Sequence, residues 1–241
     1  MQYGLQLYSV RDTSKDDLQG TLRQVAALGY KTVEFAGFFG HTAEKVKGWL
    51  ATYGLRVSGT HTGLQALDED FDGVVAYHQA IGCGLLIIPF TKPETQAALD
   101  ALITKLNGYQ KRLAEQGITM AYHNHAHEFQ AVEGGMSLWE ALVTKTSIPL
   151  EIDTFWAYAA GEDPLAWMQT LHAQNRLPVI HIKDGLAAGE GKPLGMGTAP
   201  VKAVYQTAQT LGVPMVVESE TLTPTGMDEA RICIDYLRTL A

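Results

Sequence analysis

Short runs of β-branched and aliphatic residues recur along this chain roughly every 25 to 35 positions, and each is followed by a stretch whose apolar residues return at helical spacing. The runs are Tyr3 to Tyr8, Lys31 to Ala36, Leu55 to His61, Leu85 to Pro89, Ile118 to Asn124, Pro149 to Asp153, Pro178 to Lys183 and Pro214 to Ser219. Strands and helices in alternation predict a parallel α/β architecture. Leu28-Gly29, Tyr53-Gly54, Gln116-Gly117 and Leu211-Gly212 each put a glycine after the last periodic residue, where a left-handed conformation closes a helix. Asp163-Pro164 supplies an N-cap carboxylate and a proline at the first helical position, where its missing N–H costs nothing. Eight strand–helix units in 241 residues match the size of a single (β/α)8 TIM barrel, whereas a doubly wound open sheet more often has about five or six strands. No linker, charge block or low-complexity stretch divides the chain, so residues 1–241 read as one domain.

Such a barrel builds its active site at the C-terminal ends of its strands. Those ends carry Gln6 and Tyr8, Glu34, His61, His123 and His125, Glu151 and Asp153, His181 and Lys183, and Glu218 and Glu220. Residues two apart on a strand project the same way, so each pair shares a face. Six of the eight histidines (His41, His61, His123, His125, His127 and His181) lie on or just past a strand end, while His78 and His172 fall in helices. Any one of these groups can be explained as a structural hydrogen-bonding residue. The whole set is a poor choice for a core, because ionisable groups are rarely buried without partners.

Composition narrows the chemistry. The charge of −8 repels a phosphate backbone, which argues against nucleic acid as a partner. The strongest apolar run, Leu85 to Phe90, cannot span a bilayer, and the first residues lack the pattern of a secretion signal. Cys83 and Cys233 show no framework spacing. The expectation is a cytoplasmic protein without membrane contact. Asp153, His181 and Glu218, from three successive late strands, suit one divalent ion of intermediate hardness such as Mn²⁺, Co²⁺ or Zn²⁺, with Mg²⁺ a poorer match; His123 can supply a fourth ligand.

The stretches GLQLYSVRD, VEF, THTG, AYHNHAHEF, LEIDTFWA, HIKD and VVESE together resemble the sugar phosphate isomerase/epimerase family with a xylose-isomerase-like TIM barrel. That group also takes in inosose dehydratases and endonuclease IV-type enzymes. The run Tyr122-His123-Asn124-His125 with Glu128-Phe129 resembles one branch, YHNHxxEF, of these sequences. The resemblance implies a barrel with a metal centre whose Asp, His and Glu ligands fall on Asp153, His181 and Glu218. It also shows a departure. The family's ketose epimerases and isomerases place a glutamate where this chain has His123, and that glutamate is one of two carboxylate acid/bases on opposite faces of the substrate.

The residues therefore suggest a metal-dependent enzyme acting on a keto sugar or related polyol. The ion would acidify a proton next to a carbonyl, Glu218 would take it, and His123 and His125 would return protons to the enediolate. Lys183 and His61 would hold hydroxyls or stabilise developing charge, with Glu34, Tyr8 and Trp156 completing the substrate contacts, and Phe38 and Phe39 are further candidates for apolar walls. A dehydratase or lyase acting on an inosose or 3-keto sugar is the alternative outcome of the same enediolate. A non-catalytic carbohydrate-binding barrel and a DNA-repair endonuclease are the other readings, the last disfavoured by charge and ligand count. Gly195-Met196-Gly197-Thr198 is the one candidate anion cradle, and since it is a bare GxG the substrate is expected to be unphosphorylated. Trp49, Tyr53 and Trp167 are candidates for a homodimer interface.

Overall fold

The computed structural model describes residues 2–241. Eight parallel strands close into a barrel: β1 (Tyr3–Gln6), β2 (Thr32–Phe35), β3 (Arg56–His61), β4 (Leu85–Ile88), β5 (Thr119–His123), β6 (Leu150–Asp153), β7 (Ile180–Ile182) and β10 (Met215–Val217), with β1 and β10 pairing at the seam. A two-stranded ribbon, β8 (Asp184–Gly185) and β9 (Gly191–Lys192), forms a lip after β7. The predicted TIM barrel is thus the fold. Its strands are shorter than the apolar runs suggest, because Leu7–Val10 coils into a 3₁₀ turn and Lys183, Glu218 and Ser219 lie just past the ladders.

Strand alternation separates two layers. Leu5, Val33, Leu86, Met120, Tyr122, Leu150, Ile152, Ile180 and Val217 join the apolar core beneath the helices, so the residues between them, including Gln6, Glu34, Ile87, His123, Glu151, Asp153 and His181, project into the barrel. Gly29, Gly54, Gly117 and Gly212 all have positive φ, and Asp163 caps the helix Pro164–Ala173 through its side chain, as the sequence predicts. Between β2 and β3 the register slips, pairing Val33 with Val57 but Glu34 with Gly59. The extra residue, Ser58, lies in β3 and brings Gly59 opposite Glu34. A Cβ on Gly59 would sit 3.0 Å from Glu34 Oε2 and 2.7 Å from Ile87 Cδ1, so only a glycine leaves room for that carboxylate.

Side chains bolt the strand ends together beyond the ladders. Asn124 donates to the Asp153 carbonyl and accepts from the Asp153 N–H, joining β5 to β6. Thr154 Oγ1 donates to the His181 carbonyl and joins β6 to β7. At the seam, the Ser219 N–H donates to Ser9 Oγ, the Gly226 N–H to Asp12, and Arg11 Nη2 to the Glu220 carbonyl.

One expectation is corrected here. The Gly195–Thr198 loop is no anion cradle, because Asp184 already fills it: its carboxylate accepts from the backbone N–H groups of Gly185 (2.8 Å), Gly195 (2.9 Å), Gly197 (3.0 Å) and Ala199 (3.2 Å). A Cβ on Gly197 would lie 2.2 Å from Asp184 Oδ1. Trp49, Tyr53 and Trp167, the interface candidates, pack against the chain's own core, Trp49 edge-on to His41 and Trp167 edge-on to Trp139. The large apolar residues that remain exposed are Tyr8, Phe39, Phe90, Met196 and Ile232. Cys83 and Cys233 are both free and buried. No helix among the described residues is long and apolar enough to cross a membrane.

Replacing Asp184 by alanine strands buried N–H donors that bond a charged acceptor, so chemical denaturation should show a loss of about 3 kcal/mol, and Asp184→Asn, which keeps one acceptor oxygen, a smaller loss. Equal stability of wild type and Asp184→Ala would show that the loop does not depend on this carboxylate.

Candidate active site

The inward-facing polar residues form one connected network centred on His181. Its Nε2 lies 2.7 Å from Glu34 Oε1, and its Nδ1 lies 3.3 Å from Glu218 Oε2 and 3.9 Å from Asp153 Oδ2. Glu34 Oε1 also accepts from Gln6 at 2.5 Å and approaches His61 Nε2 at 3.1 Å, while His61 Nε2 sits 2.9 Å from Glu151 Oε2. Lys183 Nζ closes the other side, 3.1 Å from Glu218 Oε2 and 3.0 Å from Glu220 Oε1. Glu34, Glu151, Asp153 and His181 have no exposed surface, and Lys183 and His123 almost none.

Burial at this density reorders the acid strengths. Desolvation alone would raise the Glu34 carboxyl, but the positive charges of His181 and His61 hold it well below its ordinary range. Burial likewise opposes ionisation of Glu218, and Lys183 and His181 overcome it. Burial lowers His181 and His61, yet the facing carboxylates prevail: His181 ends well above the usual imidazole range and His61 reaches about 9. Desolvation pushes Glu151 up to about 8, with the Glu34 charge adding to it, and Asp153 up to about 7 against the pull of Lys183. His123 and His125 go the other way. Burial takes His123 well below its ordinary value and His125 down to about 4, so both are neutral imidazoles near pH 7.

Two overlapping donor sets arise. One joins His123, Asp153, His181 and Glu218, and the other His61, His123, Glu151 and His181, each with its donor atoms within 4.8 Å of one another. The first fits a divalent ion better. Asp153 Oδ2 is buried there without a hydrogen-bond partner, 3.9 Å from both His181 Nδ1 and Lys183 Nζ, while Asp153 Oδ1 is fixed by the Trp156 N–H at 2.8 Å; His123 Nδ1 faces Glu151 Oε2 at 3.3 Å. His181 would face the ion through Nδ1 and keep Nε2–H on Glu34, the outer carboxylate that orients a metal-bound imidazole. In the second set His61 and His181 already spend Nε2 on Glu34 and Glu151.

A cleft of about 480 Å³ opens above this floor, lined by Tyr8, Arg11, Ala36, His61, Pro89, Phe90, His123, His125, Glu218 and Glu220. The structure thus brings His123, Asp153, His181 and Glu218 together and puts Tyr8, His61 and His125 at the same opening. Three residues expected to touch substrate or act on it are placed elsewhere. Glu34 is wholly buried and its bonded oxygen is occupied by Gln6, His61 and His181, so its position orients imidazoles. Lys183 lies outside the cleft lining and holds Glu218 and Glu220. Trp156 is half-buried and outside the cleft lining, with Lys183 Nζ 4.9 Å from its ring centroid and the ring of His125, which does line the cleft, at 5.8 Å. Of the proposed apolar walls, Phe38 packs on Tyr77 at 4.1 Å, and neither it nor Phe39 lines the cleft.

Sequence reasoning missed Phe90, Arg11 and Asn124. Phe90 follows the one strand with no polar residue at its end, and an exposed aromatic there was the available signal. His41 meets Trp49 edge-on, away from the floor. Glu128, fully buried, accepts from the His125 N–H at 2.7 Å and lies 3.2 Å from His127 Nε2, so it shapes the loop that presents His125.

Loading the first set requires His181 to lose its Nδ1 proton, and below about pH 7 Asp153 must lose one as well. Calorimetric titration of metal-free protein in buffers of different ionisation enthalpy should therefore show about two protons released per ion at pH 6 and about one at pH 8.5. Equal release at both pH values would remove Asp153 from the ligand set.

Comparison with known proteins places these features. No protein of curated function matches the sequence. Among solved structures, a sugar phosphate isomerase/epimerase from Parabacteroides distasonis is 23% identical, covering 99% of this chain and 98% of its own, with a TM-score of 0.84. The probable 3-DHS dehydratase AsbF of Bacillus anthracis is 13% identical, covering 99% of both chains, with a TM-score of 0.77. The IolI protein, solved with a bound zinc atom, is 12% identical over 100% of this chain and 98% of its own, with a TM-score of 0.76. At these identities the likeness is one of fold. The sequence model of the family described as xylose isomerase-like TIM barrel matches residues 22–240, nearly the whole chain, and the protein belongs to that family.

Proposed function

We propose that this protein is a metal-dependent enzyme of isomerase or epimerase type that acts on a keto sugar or related polyol through an enediolate. The observation that carries the proposal is the donor set His123, Asp153, His181 and Glu218 at the floor of the cleft, with Asp153 Oδ2 buried and without a hydrogen-bond partner. IolI, with its zinc, and the sugar phosphate isomerase/epimerase support it by shared fold. A divalent ion held there, Mn²⁺, Co²⁺ or Zn²⁺, would polarise a carbonyl and an adjacent hydroxyl and so acidify the C–H between them.

The chain's own groups supply the rest. Glu218, kept ionised by Lys183 and His181 and open to the cleft, is the group able to accept the proton. Lys183 acts through Glu218 and is a positioning residue. His125, neutral at physiological pH, can donate from its imidazole to the developing oxyanion, as a neutral imidazole does when its pKa is depressed. Phe90, Pro89 and Tyr8 give the cleft apolar walls for the C–H faces of a sugar.

One specific feature favours a second reading. The family's second carboxylate is replaced by His123, and burial keeps that imidazole neutral, so a second strong base for the opposite face is missing. One carboxylate suits β-elimination: Glu218 takes the proton from the carbon next to the carbonyl and can return it to the departing hydroxyl, which leaves as water, while the neutral His125 imidazole donates only a hydrogen bond. The dehydratase of the same fold is consistent with this outcome.

Metal analysis by mass spectrometry should find about one Mn, Co or Zn per chain in wild type and little in Asp153→Ala or Glu218→Ala; an empty wild-type site after incubation with millimolar metal would end this reading. With a panel of ketoses and inososes in D₂O, loaded enzyme should wash deuterium into the carbon next to the carbonyl. His125→Gln should slow that exchange about a hundredfold. Product analysis then separates isomerisation, which conserves mass, from dehydration, which loses water.

A further inference from the structure

The rim of the cleft carries a charge that the chemistry above does not use. Arg11 lies in the turn after β1 and lines the cleft. Its Nη1 donates to the Tyr8 carbonyl at 2.9 Å and its Nη2 to the Glu220 carbonyl at 2.9 Å, and its guanidinium lies over the Tyr8 ring, 4.1 Å from the centroid. Both acceptors are neutral. Among the described residues no carboxylate oxygen comes within 4.0 Å of its nitrogens, whereas His61, His181 and Lys183 are each paired with carboxylates. Glu220, the nearest acid in the lining by sequence contact, has its carboxylate on Lys183 at 3.0 Å, and Glu218 is held by Lys183 and His181. An arginine has five N–H donors, and two carbonyl bonds leave three unspent.

This arrangement is a prepared anion receptor. The ring beneath and the two carbonyls fix the guanidinium, so little side-chain entropy remains to be lost when an oxyanion binds its free edge. In a chain of net charge −8, an uncompensated cation beside the catalytic floor also counters the field that would otherwise repel an acidic substrate. We propose that Arg11 forms an anion subsite that takes the carboxylate or phosphate at the end of the substrate remote from the reacting carbons. The proposal rests on the enediolate reading above for the substrate's other end, and its phosphate arm departs from the expectation of an unphosphorylated substrate that the bare GxG motif suggested.

The first test is inorganic phosphate alone, titrated at low ionic strength into chelator-treated wild type, Arg11→Met and Arg11→Lys and followed by ³¹P line broadening. Wild type should bind phosphate, Arg11→Met about tenfold or more weakly, and Arg11→Lys between the two. Methionine keeps the stacking on Tyr8, and a thermal melt of each variant checks the fold. Equal binding by wild type and Arg11→Met, or binding by neither, overturns the proposal. This test needs no metal, so its result is independent of whether the metal reading survives. Matched keto sugars then separate the two ligand sources: D-fructose, D-fructose 6-phosphate and D-fructuronate share the ketose end and differ at carbon six. Wild type should prefer one charged sugar over fructose by about tenfold, with the ratio falling to about one in Arg11→Met. A preference for the phosphate identifies a sugar phosphate, a preference for the uronate identifies a sugar acid, and a preference that persists without Arg11 overturns the assignment.

Discussion

The pairing of His181 with Glu34 on one side and Glu218 on the other is the interaction around which the barrel interior is organised. Two carboxylates and an imidazole buried this deeply, Glu34 and His181 with no exposed surface and Glu218 with almost none, would each be strongly unfavourable alone. Together they are tolerable because each supplies the charge or donor that the next requires, and Gln6, His61 and Lys183 extend the same logic outward. Removing one member leaves a buried charge without its partner, a far larger penalty than the pair contributes. The network therefore constrains which polar residues can occupy the ends of β1, β2, β3, β6 and β7.

The same network has two sides. On the inner side Glu34 and Glu151 engage His61 and His181, with one oxygen of each carboxylate, Glu34 Oε2 and Glu151 Oε1, left without a hydrogen bond. On the outer side Asp153 Oδ2 is buried without a hydrogen-bond partner, while His123 and Glu218 line the cleft. His181 spans both sides, with Nε2 on Glu34 and Nδ1 beside Glu218. Lys183 holds the Glu218 and Glu220 carboxylates together.

Loops that carry catalytic groups need stiffness that strands do not supply. Here three buried acids provide it by accepting backbone or hydroxyl hydrogens. Glu128 takes the His125 N–H, Asp184 takes the four N–H groups of the β7 lip and its following loop, and Glu229 takes the Ser219 hydroxyl at 2.6 Å and the Thr223 N–H at 2.9 Å. None of these acids faces the cleft. Burial pushes Glu128 up to about 7, the cost of using a carboxylate in this way.

The sequence alone determined the architecture and the ring of candidate residues, because both follow from local periodicity. Alternation of apolar runs with helical stretches requires the barrel, and the two-residue repeat at strand ends puts His123 with His125, Glu151 with Asp153 and His181 with Lys183. Which of those residues meet substrate was decided only by the tertiary structure. Closure of the barrel surrounded Glu34 with Gln6, His61 and His181, the neighbouring charges set which histidines are protonated, and the seam between β1 and β10 brought Arg11 to the rim beside a residue 209 positions away. The Gly195–Thr198 loop was legible as a nest of N–H groups but not as one already filled, since its occupant, Asp184, lies 11 to 15 residues earlier and meets it only when the chain folds back. Periodicity reports which way a side chain points relative to its own strand; its partner, its charge state and its access to the cleft depend on neighbours that only closure of the barrel assembles.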